Sequence, residues 1–239
     1  MSDAVPSVSV EQPILAKESL FAVCYFAAYI AYLCWRLENE FLHWGSLVLL
    51  PLGLIFLHRT IKGAPSPFAE SLGSVGLRRG NLATGLLTAG LVGLLLSLLQ
   101  IFLSRDRGKI LELIQSGKAF WLFPVVFAVM LLTAGFTEEF FFRGVLQTRL
   151  AALIRSNFWA VIVVALLFGL YHLPYAYLNP RWPSHGNWPH AIKLAFGQGV
   201  PAGIILGWIY VRSKSNLVAC VVTHALINSL PGMLHIKFG

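Results

Sequence analysis

Long apolar runs separated by short polar stretches dominate the chain, covering about 18–35, 41–57, 82–103, 119–150, 158–173, 191–211 and 217–235. Each is close to the roughly 20 residues a helix needs to cross ~30 Å of hydrocarbon. In lipid a backbone group must be satisfied within its own segment or by closing a barrel, and runs of this length point to helices. The pattern therefore predicts an all-α, polytopic transmembrane helix bundle of about seven spans, or eight if one run is miscounted. The fourth run is too long: at 1.5 Å per residue it extends about 48 Å, so it must tilt, kink or project from the membrane.

The connections carry most of the Gly, Pro and charge. A loop from His58 to Asn81 holds Arg59, Lys62, Arg78 and Arg79, and a charged stretch from Ser104 to Lys118 follows the third run. Gly85, Gly90 and Gly93 in that third run are small residues that let helices approach closely in lipid. The fifth run is expected to end at Pro174, with Pro180, Pro183 and Pro189 in the loop beyond it. Residues 1–17 are polar, include Asp3 and Glu11, and lack the basic start of a secretory signal, so they are expected to form a short tail. Residues 18–239 then form one transmembrane domain with a core at about 119–235. Arg149, Arg155, Arg212 and Lys214 share one membrane side, which the positive-inside rule makes cytoplasmic. Arg105, Arg107, Lys109 and Lys118 conflict with that unless a span is miscounted or their stretch lies along the interface.

Composition sharpens the picture. Of 239 residues, 57% are hydrophobic and 12% are charged, whereas a soluble domain carries about 25% charged residues. Lipid must be the solvent for most of the chain. The net charge of +8 does not point to nucleic acid, because the basic residues sit mostly between apolar runs, where they meet lipid headgroups. Cys24, Cys34 and Cys220 all fall in apolar runs without pairing, and are expected to face lipid or core.

The acidic residues carry the chemical signal. After Glu112 only Glu138 and Glu139 remain, adjacent and inside the apolar run from Phe136 to Gly144. A carboxylate at the membrane centre costs about 2.5–3.5 kcal/mol even on the mildest scales, so the pair needs a reason. Arg143 lies four residues after Glu139 on the same helical face and can pair with it. Glu138 points about 100° away and stays available. His172 lies near the end of the fifth run. His224 and Asn228, one turn apart in the seventh, can converge on one point. Each alone is equally consistent with an interhelical hydrogen bond.

Depth joins them. Counted from the loops on one membrane side, Glu138, His172 and His224 lie about 16, 22 and 12 Å deep at 1.5 Å per residue. A carboxylate beside an imidazole can deprotonate water, and a second imidazole with an amide can stabilise an oxyanion. Such a set suffices for peptide hydrolysis without a serine or cysteine nucleophile. Tyr171, Ser229 and Cys220 have no comparable setting and are expected to be packing residues.

With these residues in place, the sequence resembles the CPBP family, which includes CAAX prenyl proteases of the Rce1 type and the bacteriocin-associated Abi proteins. Its EExxxR motif matches Glu138, Glu139 and Arg143; FxxxH matches Phe168 and His172; HxxxN matches His224 and Asn228. Gly76-Leu77-Arg78 looks like the GLR segment often found upstream. The resemblance covers about 136–230 and hardly touches the first two spans. It implies an intramembrane endopeptidase, cavity open to the cytosol, acting on a membrane-associated protein or its C-terminal peptide. Glu138 with His172 would activate water, His224 with Asn228 would form the oxyanion hole, and Glu139, Arg143 and Phe168 would shape the site. No cofactor is expected. Competing readings are zinc held by Glu138, His172 and His224, a non-catalytic scaffold or immunity-type protein, and a proton-coupled transporter. The expected location is the inner membrane.

Overall fold

The computed structural model describes residues 16–37, 39–78, 82–104 and 106–234. The polar tail expected over 1–17 falls outside them except for its last two residues, as do Arg79 and Arg105. Among the described residues seven helices are long and apolar enough to cross a membrane. They are the first span (Lys17–Trp35), second (Phe41–Ile61), third (Leu82–Leu103), fourth (Lys118–Ile154), fifth (Asn157–Leu178), sixth (Trp188–Arg212) and seventh (Leu217–Leu234). The described residues include no strand, so the all-α polytopic bundle holds. Two short helices, Pro67–Ser74 and Arg107–Gln115, lie between spans. The second of these takes up the charged stretch after the third span: it buries Ile110 and exposes Arg107 and Lys109.

The bundle interior is an aromatic cluster. Phe140, Phe141 and Phe142 of the fourth span are fully buried, against Phe26 of the first and Phe168 and Tyr171 of the fifth. Phe142 meets the Phe168 ring edge-on at 4.9 Å between centroids. Without a hydrophobic drive between helices in lipid, close packing of small residues does the joining. A Cβ on Gly203 would lie 2.8 Å from Ala165 Cα, and one on Gly169 would lie 2.8 Å from Val200 Cγ2, so the fifth and sixth spans touch almost backbone to backbone. Of the three glycines singled out in the third span, Gly85 and Gly93 do face the seventh, at Ala219 and Leu226. A Cβ on Gly90 would instead meet nothing within 4 Å.

Two further expectations are corrected. The fifth span does not stop at Pro174 but continues to Leu178. A proline removes one backbone donor, and a membrane helix tolerates that where neighbours compensate. His172 therefore sits well inside the helix rather than at its end. Arg149 is also no loop charge: it is fully buried, so it says nothing about orientation.

Candidate active site

The fourth span is distorted where its carboxylates lie. Thr133 leaves helical geometry (φ −95°, ψ −108°), and π-helical turns over Leu131–Gly135 and Phe140–Gln147 flank the short α-helical segment Phe136–Glu139. A kink is one of the three outcomes that the run's length left open. π-turns inside helices occur frequently at functional sites. A kink in lipid frees carbonyls that must find donors. Here the Thr133 hydroxyl donates to Val129 O (2.8 Å), the Trp44 indole to Leu132 O (3.0 Å), and the Thr137 hydroxyl to Thr133 O (2.9 Å). Gly135 lets the kinked helix approach the seventh span: a Cβ there would sit 3.1 Å from Val221 O.

Glu138, His172 and His224, from three different spans, converge. One oxygen of Glu138, Oε2, lies 3.9 Å from His172 Nε2 and 3.9 Å from His224 Nε2. Each imidazole is fixed from behind. His172 Nδ1 is 2.8 Å from the Phe168 carbonyl, and His224 Nδ1 is 2.8 Å from Glu139 Oε1. Both partners can only accept, so both Nδ1 atoms carry hydrogen, and in a neutral ring Nε2 then presents a lone pair. Glu139 is itself held by Arg143, whose Nε lies 3.1 Å from its Oε2 as an ion pair without hydrogen-bond alignment. The Arg143 guanidinium also donates to Gly203 O (3.2 Å) and stands 4.7 Å from the centre of the Phe168 ring. His172 is 23% exposed at its side chain against 10% for Glu138 and 0% for Glu139, so the cluster opens on the His172 side.

The structure thus brings six of the seven residues singled out by sequence into one contact network. The seventh, Asn228, lies one turn beyond His224, partly exposed, and no hydrogen bond joins it to the cluster. Glu139 has two partners, not Arg143 alone: spacing along a helix shows the arginine, but only the assembled bundle shows His224. Tyr171 is not a mere packing residue. Its hydroxyl stands 3.5 Å from Glu138 Oε1 and 3.0 Å from His43 Nε2 of the second span. The signal for Tyr171 was its place one residue before His172; His43, a lone histidine in an apolar run, gave none. Ser229 and Cys220 do pack as expected, bonding to Ala225 O and Leu206 O.

A second buried ionic cluster ties the first two spans to the fourth. Glu18 lies 2.9 Å from Arg59 Nε and 2.8 Å from Arg149 NH2. Arg59 also reaches Glu70 at 3.6 Å, and Arg149 bonds the Ser74 hydroxyl (2.9 Å) and carbonyl (3.1 Å). The Gly76-Leu77-Arg78 segment next to it fastens the start of the seventh span: Leu217 N donates to Gly76 O (3.0 Å), and the Asn216 amide to Arg78 O (3.3 Å). Gly76 has φ +83°, and a Cβ there would lie 2.5 Å from Ser215 O, so no other residue fits without movement.

Fold and site together define a polytopic helical membrane protein with a buried glutamate–histidine centre. Residues 120–230 match the model of the family described as type II CAAX prenyl endopeptidase Rce1-like, and all three motifs lie within that segment. The resemblance is therefore shown over the part of the chain that holds the cluster, and it implies a peptidase embedded in the membrane as an integral, multi-pass protein. No curated protein and no solved structure matches the chain.

Proposed function

We propose that the protein is an intramembrane endopeptidase of the CAAX-protease type, in which Glu138 and His172 activate a water molecule. The observation that carries this is the shared Glu138 oxygen, 3.9 Å from two imidazole nitrogens whose far sides are both fixed. Glu138 takes a proton from water as the oxygen attacks the substrate carbonyl carbon, and the lone pair of His172 Nε2 orients that water. The proton passes on to the leaving amine as the C–N bond breaks.

The developing oxyanion needs donors. His224 Nε2 can donate only when the ring is doubly protonated, since Nδ1 already carries a hydrogen. Charge accounting supports that state. Glu138 and Glu139 contribute two negative charges and Arg143 one positive. An imidazolium at His224 makes the buried group neutral, and Glu139 stands behind that ring as its counter-charge. Asn228 supplies a second donor from its place one turn further along. The substrate is a membrane-associated protein, cleaved near its C-terminus, and the cavity faces the cytoplasm of the inner membrane.

The zinc reading uses the same side chains, since two Nε2 lone pairs and a carboxylate face one point. Among the described residues no three His, Cys, Asp or Glu groups are arranged to hold a metal ion. The proposal takes the route without metal, and the chelator arm of the experiment separates the two readings. Cleavage of a fluorogenic C-terminal peptide library by purified wild type and Glu138→Gln, with and without phenanthroline, tests it. Expected is chelator-resistant cleavage that falls by about 10²–10⁴-fold in the variant, the range general-base catalysis contributes. Equal cleavage by both proteins, or loss with the chelator, overturns it.

A further inference from the structure

His43 is a buried histidine outside the segment matched by the family, 8% exposed, on the second span. It stands at the centre of a polar chain that ends on Glu138. The hydroxyls of Tyr29 and Tyr175 each lie 3.5 Å from its Nδ1. Its Nε2 lies 3.0 Å from the Tyr171 hydroxyl, which lies 3.5 Å from Glu138 Oε1. First, second, fourth and fifth spans all contribute.

The direction of the hydrogens follows from the end of the chain. A carboxylate oxygen can only accept, so the one hydroxyl hydrogen of Tyr171 belongs on Glu138. The Tyr171 oxygen must then accept from His43, which places a hydrogen on Nε2 and leaves Nδ1 a lone pair. Two tyrosine hydroxyls, both able to donate, face that lone pair. In the other tautomer Nε2 would draw the Tyr171 hydrogen away and turn a hydroxyl lone pair towards a buried carboxylate. The first arrangement keeps a donor on the Glu138 carboxylate and an acceptor facing the two tyrosine hydroxyls; the second does neither.

We propose that His43 is a positioning residue for hydrolysis, acting through Tyr171. It holds the Tyr171 hydroxyl as a donor to Glu138 Oε1, and this aims Oε2 at the point between His172 and His224. The proposal rests on the reading of Glu138 as the base. Of the two Glu138 oxygens, Oε2 stands 3.9 Å from both imidazole Nε2 atoms, and Tyr171 touches the other one, as that role requires. A second span beyond the motif-bearing region thereby takes part in the chemistry.

The test uses the purified full chain in detergent and the library peptide that the wild type cleaves best. Measured are kcat, KM and the melting temperature of His43→Ala, His43→Gln, Tyr171→Phe and the double variant His43→Ala/Tyr171→Phe. A hydrogen bond to a charged group of this kind is worth about 10–100-fold in rate. Expected is a fall of that size in kcat for His43→Ala and for Tyr171→Phe, with KM within about twofold. The double variant should be no slower than Tyr171→Phe, because both remove one bond. His43→Gln, whose amide can donate to Tyr171, should recover most of the loss. Wild-type kcat in His43→Ala overturns the proposal. So does a loss that multiplies in the double variant, or one that tracks melting temperature and is not rescued by glutamine. Undiminished cleavage by Glu138→Gln, run alongside, would instead overturn the reading of Glu138 and leave a distinct signature.

Discussion

Arg143→Ala should damage the fold before it damages the chemistry. The guanidinium is fully buried, pairs with a fully buried Glu139 at 3.1 Å, and donates to Gly203 O at 3.2 Å. Removing one member of a buried ion pair costs about 3–5 kcal/mol, because the other charge is left without compensation. Glu139 keeps His224 at 2.8 Å, which argues for the lower part of that range. Against this, the freed Gly203 carbonyl adds about 1–3 kcal/mol, since the tight approach of Gly203 to Ala165 leaves no slack for a new donor. The total is about 4–6 kcal/mol, enough to unfold a typical domain partly at growth temperature. Denaturant or thermal unfolding in detergent measures it. The mechanism predicts that Glu139→Gln in the Arg143→Ala background recovers part of the loss, because it removes the stranded charge. Stability of Arg143→Ala equal to wild type, or a double variant worse than the single, would refute the reasoning. Arg143→Lys should fall between, as an ammonium cannot reach both Glu139 and Gly203 in the guanidinium's fork geometry.

Other outcomes follow from the same network. Glu18→Gln should loosen the first span, since it leaves Arg59 and Arg149 facing each other across a buried site; the cost is about 3–5 kcal/mol, read by limited proteolysis and melting temperature. Native-like protease resistance would count against it. His224→Ala should lower kcat by about 10²–10³-fold with KM little changed, as loss of an oxyanion donor does. Asn228→Ala should act in the same sense. Weaker substrate binding with unchanged turnover would remove both from that role.

Much of this was legible in the sequence because the membrane makes polarity expensive. Two adjacent glutamates in Phe136–Gly144 demanded a partner, and Arg143 at helical spacing was visible at once. Histidines in two other runs, at similar estimated depth, could be gathered into one site before any coordinates. Seven runs gave seven spans, and the fourth run, too long to cross straight, kinks at Thr133, one of the three outcomes its length allowed. What stayed hidden depends on rotation of helices about their axes, which periodicity fixes poorly in runs apolar on every side. Gly85 and Gly93 face the seventh span while a Cβ on Gly90 would meet nothing within 4 Å, for this reason. Arg149 looked like a loop charge because its partner, Glu18, is far away in sequence. His43 and Tyr171 found each other only once the second span was laid against the fifth. Pro174 misled because proline ends helices in water more often than in lipid.

The two buried ionic clusters share a rule that bears on the proposed chemistry. In the first, Glu18 and Glu70 face Arg59 and Arg149, two carboxylates against two guanidiniums among the described residues, with His58 3.9 Å from Glu18 beside them. Each carboxylate there has a guanidinium partner, and the cluster holds the first, second and fourth spans together. In the second, Glu138 and Glu139 face one arginine. Balance there requires a proton, and the bases in reach are the two histidines beside Glu138. A balanced set of fixed charges can only hold helices together. A set one cation short must bind a mobile proton, and can exchange it as charge develops on a substrate, which is what general acid–base hydrolysis asks of a site. The excess of one carboxylate over guanidiniums, rather than the presence of carboxylates as such, sets the cluster proposed to be reactive apart from the one that joins spans.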